Sequence, residues 1–204
     1  LVLEGQADIL LRVVGDQLNL VTDAQVDAVE ALDQTLRFAR ISGGSNNPIG
    51  SGVDIEALQA ITAALATTLQ VGGAQRGLEM TVDYAKVREQ FGRSIGSFQA
   101  LKHRMADMLV LVESARSASW GACHAAAAYL MDPTESNRAD LIRLAAVAQS
   151  YCSDAFDKVA GETIQLHGGI AITWEHDAHL VFKRAHALSQ LFGRADEHRS
   201  SLLR

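Results

Sequence analysis

Hydrophobic residues follow two different periods along the chain, one before residue 41 and another after residue 51. The first region has short runs of leucine and β-branched residues, separated by turn-forming residues such as Gly15 and Asp16, a pattern typical of β-strands. It predicts strands over residues 8–14, 19–21 and 36–41. After residue 51 the apolar residues recur every three or four positions, which predicts helices.

A polar, glycine-rich segment separates these two regions. Gly43, Gly44, Asn46, Asn47 and Pro48 lie close together with no apolar residue among them, which predicts a loop or a domain boundary. Two or three strands do not form a stable sheet by themselves. We therefore expect residues 1–50 to be the end of a β domain and its linker, and residues 51–204 to be a separate helical domain.

Two long helices are predicted in the first part of the helical region. The first begins at a cap provided by Ser51 or Asp54 and continues toward Arg88. The second begins near Ser97 and carries a single apolar stripe, formed by Phe98, Leu101, Met105, Met108 and Val112. The whole chain contains only two prolines, so helices can run uninterrupted over most of this region.

A third predicted helix has its own start signal. Asp132 is predicted to be its cap, Pro133 to take the first helical position, and Glu135 to close a capping box. Shorter helices are predicted after Glu175 and after Arg194. Because such regular stripes are typical of bundle cores, the predicted fold is mainly α: an antiparallel four-helix-type bundle, preceded by a few β-strands.

Composition narrows the class of protein. The 204 residues are 48% hydrophobic and carry a formal net charge of -6, so the chain lacks the basic stripe that nucleic acid would require. No apolar run approaches the roughly 20 residues that span a membrane. The opening residues lack the basic segment of a signal peptide. Cys123 and Cys152 lie in alanine-rich stretches, and we expect reduced core thiols in a cytoplasmic protein.

Two short motifs combine an arginine, glutamines and paired glycines. In the first, an Arg88-x-x-Phe91-Gly92 turn is followed by Phe98 and Gln99, and in the second a Gln-x-x-Gly-Gly sequence begins at Gln165. An arginine presents a planar fork to a pyrophosphate, and glutamines add neutral hydrogen bonds. Paired glycines allow backbone N–H groups to approach a ligand closely.

Together the two motifs resemble the C-terminal signatures of the acyl-CoA dehydrogenase family, in the same order and about seventy-five residues apart. The resemblance covers about residues 51–204 and implies that the family's middle β domain ends before the bundle. In that family, these residues reach across a subunit interface and hold the FAD of the neighbouring protomer. Carried over by position, the cofactor-binding residues are Arg88, Gln90, Phe91, Gln99, Gln165, Gly168 and Gly169.

A structural alternative explains the same residues without a cofactor. Arg88 would then cap the C-terminus of a helix, and Gly168 and Gly169 would end another. The histidines offer a further alternative, since His176 and His179 share a face if they lie on one helix. Zinc needs three or four converging ligands, and the sequence around His186 and His198 supplies no such set, so we expect no metal site.

The chain departs from the family pattern where the catalytic base belongs. Ungapped counting from Gln165 places Phe192 at the position of the usual glutamate, directly before Gly193. A minority of relatives carry the base on the first bundle helix, but residues 62–64 contain no acid here. Asp196, Glu197 and Glu56 are candidates for a displaced base, yet proton abstraction tolerates little misplacement.

The resemblance therefore implies a non-catalytic subunit of an FAD-dependent acyl-CoA dehydrogenase, with Gly193 lining what is left of the acyl-CoA site. Its partner would be a homologous subunit that bears the glutamate, in a homo- or heterotetramer arranged as a dimer of dimers. Fatty-acid or steroid side-chain β-oxidation is the implied setting. Two other functions remain open at this point: a flavin-dependent monooxygenase on the same fold, and a structural homologue without enzymatic activity.

Overall fold

The structure, a computed structural model, describes residues 2–3 and 9–203. Its contacts divide the chain into two units, Leu1–Gln59 and Ala60–Arg204. The strands of the first unit are β1 (Val2–Leu3), β2 (Leu10–Val14), β3 (Gln17–Val29) and β4 (Phe38–Gly50). Asp8, which the first predicted strand included, lies outside the described residues.

The first unit contains an antiparallel four-stranded sheet with the strand order β1-β4-β3-β2. β2 and β3 form a hairpin in which Val14 lies opposite Gln17, so Gly15 and Asp16 make the turn that their sequence predicts. β3 is much longer than the predicted strand and pairs with β4 from Leu18 to Val29. The strand predicted from residue 36 begins at Phe38.

The predicted loop at residues 43–48 is wrong, because this segment continues β4. Its backbone pairs with β3, and the side-chain amide of Asn47 donates to the carbonyl of Leu20 and to the hydroxyl of Thr22. At Gly44 a Cβ would lie 2.8 Å from Val21 Cγ1, so the strands leave space for glycine alone. Pro48 lies opposite Asn19, where the register shifts. Cross-strand bonding here overrides a composition that is typical of loops.

The remaining elements follow along the chain. They are α1 (Ile55–Val87), β5 (Glu89–Gln90), β6 (Arg93–Ser94), α2 (Gln99–Met131), α3 (Glu135–His167), α4 (Ala178–Gln190) and α5 (Ala195–Ser201). Short 3₁₀ turns at Ile95–Ser97 and Gly168–Ile172 precede α2 and follow α3. The mainly α fold class is therefore confirmed, as are the two shorter helices after Glu175 and Arg194.

In the second unit, α2 runs antiparallel to α3. Contacts between Ala115 and Cys152 and between Arg104 and Glu162 fix this direction. α1 runs parallel to α3, because successive contacts advance along both helices: Gln70–Ser153, Thr81–Thr163 and Tyr84–His167. α4 and α5 pack on α3. Small residues allow this close packing.

The caps agree with the sequence at α1 and differ from it at α3. Asp54 Oδ1 accepts a hydrogen bond from Ala57 N, 3.0 Å away, so Asp54 caps α1. At α3 the predicted cap is wrong: Thr134 is the N-cap, and its hydroxyl accepts from Asn137 N at 3.2 Å. Asp132 instead ends α2, where its N–H bonds to the carbonyl of Ala128. The preceding helix occupies the residue that the capping pattern would have used.

No helix within residues 9–203 has both the length and the apolar character needed to cross a membrane. Both cysteines are free thiols, with Cys152 buried and Cys123 half-buried. Burial raises the pKa of Cys152 to about 12, and nearby Cys123 acts in the same direction. Such a thiol stays protonated and behaves as a small apolar side chain.

Candidate functional site

The first motif forms a tight hairpin at the end of α1. β5 pairs with β6, and Phe91 and Gly92 at the tip both have positive φ, as two-residue hairpin turns require. The N–H of Ile95 donates to the carbonyl of Arg88 at 2.8 Å, which closes the base of the hairpin. Gly96 completes the fit, because a Cβ there would lie 2.8 Å from the carbonyl oxygen of Ala85.

This hairpin presents its polar side chains outward. Arg88, Gln90 and Gln99 are exposed, and Phe91 is 93% exposed. Nearby Arg93 is already engaged, since its guanidinium lies 4.0 Å from the centre of the Phe98 ring. The Arg88 side chain, in contrast, makes no hydrogen bond or ion pair with any residue that the structure describes.

The two glutamines of this motif are held by local contacts. Gln90 Nε2 donates to the carbonyl of its neighbour Glu89 at 2.8 Å. The side-chain amide of Gln99 lies 2.6 Å from Nε2 of His103, one helical turn further along α2. Both side chains keep an oxygen that can accept a hydrogen bond from a ligand.

The second motif ends α3 and turns the chain sharply. Gly168 is the C-cap, with φ +65 and ψ −146, a backbone conformation open to glycine and costly for other residues. Gln165, Gly168 and Gly169 are exposed, and a Cβ on either glycine would meet no atom within 4 Å. The backbone of this turn is therefore accessible to a ligand.

The fold brings both motifs to the same end of the bundle. Because α1 and α3 are parallel, the two helices finish side by side, and the rings of Tyr84 and His167 stack with centroids 4.5 Å apart. The His176 ring lies 4.4 Å from that of His167, which ties the segment after the glycine turn to the same cluster. An open pocket of about 470 Å³ lies between Tyr84, Val87 and His176.

A partly buried ion pair connects α2 and α3 near this end of the bundle. Arg104 of α2 contacts Glu162 of α3 at 2.6 Å, and Lys158 lies 3.4 Å from the same carboxylate. The hydrogen bond from Arg104 lowers the pKa of Glu162, and this effect exceeds the opposing effect of burial. Arg104 is therefore neutralised within the chain, whereas Arg88 is available to an anion.

The region around Phe192 is organised differently. Phe192 and Gly193 both have positive φ, and the Phe192 carbonyl lies 2.9 Å from Nε2 of His198. Glu197 accepts a hydrogen bond from the N–H of Arg194 at 2.8 Å, and Asp196 forms an ion pair with the Arg194 side chain at 3.2 Å. Both candidates for a displaced base thus stabilise the start of α5.

The other positions considered for a base contain no carboxylate within the bundle. Ala63 and Ala64 are buried, and Thr62 is half-buried. Glu56 lies in the first turn of α1, in the first unit. Gly193 is half-buried, and a Cβ there would lie 2.7 Å from Nε2 of His198. Its role in substrate binding stays a prediction.

Sequence reasoning missed two buried glutamines that hold the chain before Phe192. Gln149 Nε2 donates to the carbonyl of Leu191 at 3.2 Å, while Gln70 Nε2 bonds to Ser153 and lies 3.4 Å from the carbonyl of Leu188. Both side chains are almost fully buried. A glutamine within an otherwise apolar helical face is the signal that could have identified them.

The histidines do not form the shared helix face that the sequence suggested. His176 precedes α4, and its Nδ1 accepts a hydrogen bond from the N–H of Ala178 at 3.1 Å. His179 lies in the first turn of α4, with its ring 4.6 Å from that of Trp174. Within residues 9–203, no group of three or more histidine, cysteine, aspartate and glutamate residues is arranged to hold a metal ion.

Residues 50–204 match the family model described as "Acyl-CoA dehydrogenase, C-terminal domain". Among curated proteins, the chain is 46% identical over 185 residues to acyl-CoA dehydrogenase IpdE2 of Mycobacterium tuberculosis, a match that covers 91% of this chain and 53% of the relative. The chain thus spans about half the length of this curated relative.

Solved structures of low sequence identity share the fold. A variant of the Tcur3481-Tcur3483 steroid ACAD matches with a TM-score of 0.77 and 24% identity, over 95% of this chain and 53% of that one. The ChsE4-ChsE5 complex from Mycobacterium tuberculosis matches with a TM-score of 0.70 and 22% identity, over 97% and 62% of the two chains.

Proposed function

Because this chain belongs to the acyl-CoA dehydrogenase family, we propose that it serves as the non-catalytic subunit of a heteromeric, FAD-dependent acyl-CoA dehydrogenase. The reaction is α,β-desaturation of an acyl-CoA thioester. The observation that carries the proposal is a contrast within one chain. Arg88 is exposed beside an open glycine turn and pairs with no residue in the described part of the chain, whereas a phenylalanine takes the position of the base. The first feature suits binding, and the second is incompatible with proton abstraction.

The donor set fits the adenosine diphosphate part of FAD. Arg88 supplies a cation with a planar fork, which matches a pyrophosphate. The open backbone at Gly168 and Gly169 allows N–H groups to approach a ligand, and Gln99 and Gln165 add neutral hydrogen bonds. Phe91 and Gln90 extend from the same hairpin. When bound, FAD supplies the hydride acceptor of the reaction.

All of these side chains point outward, which supports contact with a flavin held mainly by a second subunit. Phe91 is 93% exposed and Val87 is 75% exposed at the end of α1, and Ile172 is 77% exposed after the glycine turn. Apolar side chains as exposed as these are typical of an interface with another protein. The partner in this proposal is a homologous subunit, in a dimer of dimers.

The acyl site of this subunit is silent in the proposal. Removal of the α proton needs a carboxylate within hydrogen-bonding reach, and Phe192 carries none. Asp196 and Glu197 already bond within α5 and its cap. The homologous subunit therefore supplies the base, as the two-chain names of the Tcur3481-Tcur3483 and ChsE4-ChsE5 structures suggest by analogy. By the same analogy, a steroid-derived acyl-CoA is the substrate class that we propose.

The first fifty residues complete the proposal. We assign residues 1–50 to the end of the family's middle β domain with its linker, and residues 51–204 to the C-terminal bundle. The antiparallel pairing of β2, β3 and β4 supports the first assignment.

Arg88→Ala tests the cofactor role in the assembled enzyme. Flavin affinity should fall by about 1.5–3 kcal/mol, or about 10- to 150-fold, the typical net contribution of hydrogen bonds to a charged group. Flavin release monitored by absorbance after dilution measures this change. The matched control is Arg93→Ala in the same hairpin, which removes a guanidinium already stacked on Phe98 and should change flavin affinity much less.

Two results would contradict the proposal. Unchanged flavin affinity in Arg88→Ala would mean that the arginine has only a structural role at the end of α1. A colourless protein, purified from its source cells together with its natural partners, would mean that the assembly binds no flavin.

A further inference from the structure

The rings of His167 and His176 connect the segment after the glycine turn to the bundle. His167 is the last residue of α3, and only 3% of its surface is exposed. Its ring lies between Tyr84, 4.5 Å away, and His176, 4.4 Å away. The cofactor proposal leaves this cluster without a role, although Gly168 follows His167 directly in the chain.

Hydrogen bonds define the proton positions on both rings. Ala178 N–H is a donor, so Nδ1 of His176, 3.1 Å away, must be unprotonated. The carbonyl of Thr163 is an acceptor, so Nδ1 of His167, 2.7 Å away, must carry a proton. His176 therefore caps the first turn of α4 only while its imidazole is neutral.

Protonation of His176 removes the acceptor and places two donors against each other. It also puts a positive charge at the N-terminus of α4, where the helix dipole disfavours a cation. A second charge on His167 would be largely buried and would repel the first across 4.4 Å. Acidification thus weakens the contact in two independent ways.

Neighbouring charges act on His176 in both directions. Asp83, Glu175 and Asp177 line the same pocket and attract an imidazolium, whereas Arg76 repels it. All four side chains are exposed, so salt screens their effects. The lost hydrogen bond between His176 and Ala178 is a contact effect that salt does not screen.

Two further groups on α4 face the segment through Trp174. The ammonium of Lys183 lies 4.6 Å from the Trp174 ring, and His179 contacts the same ring. On α3, the neighbour of His167 in this cluster is the uncharged Thr163. The histidines in or beside this cluster are therefore His167, His176 and His179.

We propose that His167 and His176 form an acid-sensitive latch, which holds residues 173–177 against the end of α1 while both rings are neutral and releases them on protonation. Apart from the contacts of Trp174 with α4, the segment is held by short local bonds, such as that from Glu175 N to the Thr173 hydroxyl at 3.3 Å. Release of residues 173–177 also loosens the glycine turn that precedes them.

The direction of the pH effect follows from linkage. Burial lowers the pKa of His167, and His176 lowers it further, whereas the main-chain carbonyls of Thr163 and Met80 act in the opposite direction. Because the unfolded chain binds the proton first, the stability from neutral His167 is fully present above about pH 6.5 and is lost as the pH falls below that value.

The buried amide of Ala178 reports on the latch without any cofactor. In the full chain labelled with ¹⁵N, the amide proton resonance of Ala178 should move upfield as the pH falls from about 8 to about 5, because the hydrogen bond to His176 is lost. The shift should persist at high salt.

Two substitutions of His176 should abolish the pH-dependent transition, one by keeping the contact with Ala178 at every pH and the other by removing it. His176→Asn keeps an acceptor for Ala178 N–H that does not titrate, so the Ala178 amide should stay hydrogen-bonded at acid pH and its resonance should not move. His176→Phe has no acceptor, so the resonance should have the position of a free amide at both pH values. The full transition in His176→Asn would overturn the proposal.

Two controls separate the latch from other causes. His124→Gln removes an exposed histidine on α2 and should leave the transition unchanged. If His179→Gln abolishes the transition while His176→Asn retains it, His179 in the first turn of α4 explains the signal, and the latch is wrong. Any resulting loss of flavin at acid pH rests on the proposed function, but the resonance of Ala178 does not.

Discussion

Two regions of the bundle use similar residues in opposite ways. At the end formed by α1 and α3, Arg88, Gln165 and the glycine turn leave their polar groups available. Around Phe192, the arginine, aspartate, glutamate and histidine side chains bond to one another or to the nearby backbone. The polar groups of the first region are therefore accessible to a molecule outside the chain, whereas those of the second region bond within the chain.

This difference shows why residue types alone do not identify a catalytic site. Asp196 and Glu197 lie within one turn of Phe192, yet both carboxylates stabilise the start of α5. Arg88 and Arg93 lie in one hairpin, yet the guanidinium of Arg93 is already stacked on a phenyl ring. Contacts within the chain, rather than residue type, therefore distinguish Arg88 from Arg93 and account for both carboxylates.

The largest expected effect concerns the silent site. The full chain without a partner should oxidise straight-chain acyl-CoA at least about 100-fold more slowly than its assembly with a glutamate-bearing homologous subunit, since a positioned base contributes about 10²–10⁴-fold. Reduction of an artificial electron acceptor measures the rate. In the assembly, Asp196→Asn and Glu197→Gln should leave turnover unchanged. Rapid oxidation by the single chain that is lost in Asp196→Asn would break the comparison.

A pair of glycine substitutions sharpens the contrast in packing. Gly193→Ala should lower the free energy of unfolding by about 2–3 kcal/mol, because φ is +94 and the new Cβ would lie 2.7 Å from His198 Nε2. Gly168→Ala should cost about 1–2 kcal/mol, because it meets backbone strain but no neighbouring atom. Urea unfolding of both variants measures the difference. Equal losses would mean that the Phe192 turn is no more tightly packed than the glycine turn.

The ion pair of Arg104 and Glu162, near the end formed by α1 and α3, provides a pH-dependent test of stability. Arg104→Gln should cost about 1–2 kcal/mol near neutral pH, a range that already allows for the partial exposure of Arg104. The lowered pKa of Glu162 contributes stability above its unfolded value, about 4.3, and loses it as the pH falls through the lower folded value. Urea midpoints between about pH 3 and pH 6 should therefore vary less in Arg104→Gln.

The matched control for this prediction is Arg143→Gln. Arg143 forms an ion pair with Asp140 at 2.9 Å, and both side chains are more than half exposed. Its substitution should leave the pH dependence of the wild-type chain intact. An equal effect of both substitutions would show that the pair of Arg104 and Glu162 contributes no more to the pH dependence of stability than an exposed pair.

The smallest expected effect tests the structural role of Glu197. Glu197→Ala should cost about 0.5 kcal/mol, the lower end of the range for a net hydrogen bond, because the side chain is exposed. Hydrogen exchange at the amides of α5 should become faster, while the amides of α3 remain protected. Unchanged exchange in α5 would leave Glu197 free for another role and weaken the contrast.

Sequence periodicity was sufficient for the bundle because its signal is local. The apolar stripe of α2 predicted a helix from near residue 97, and α2 begins at Gln99. The cap at Asp54 and the turn at Phe91 and Gly92 were also recognisable, since each depends on residues within one turn of the chain. The identity of Phe192 and the spacing of the two motifs likewise needed no structure.

Tertiary structure decided the features that depend on distant partners. Residues 43–48 form a strand because β3, more than twenty residues earlier, supplies the cross-strand hydrogen bonds. Gln149 and Leu191 meet because α3 and α4 pack together, and Tyr84 meets His167 because α1 and α3 end side by side. The sequence by itself determined the helices, the spacing of the two motifs and the phenylalanine at position 192. Tertiary packing decided which side chains form contacts within the chain and which stay available, because those contacts come from groups far away in the sequence.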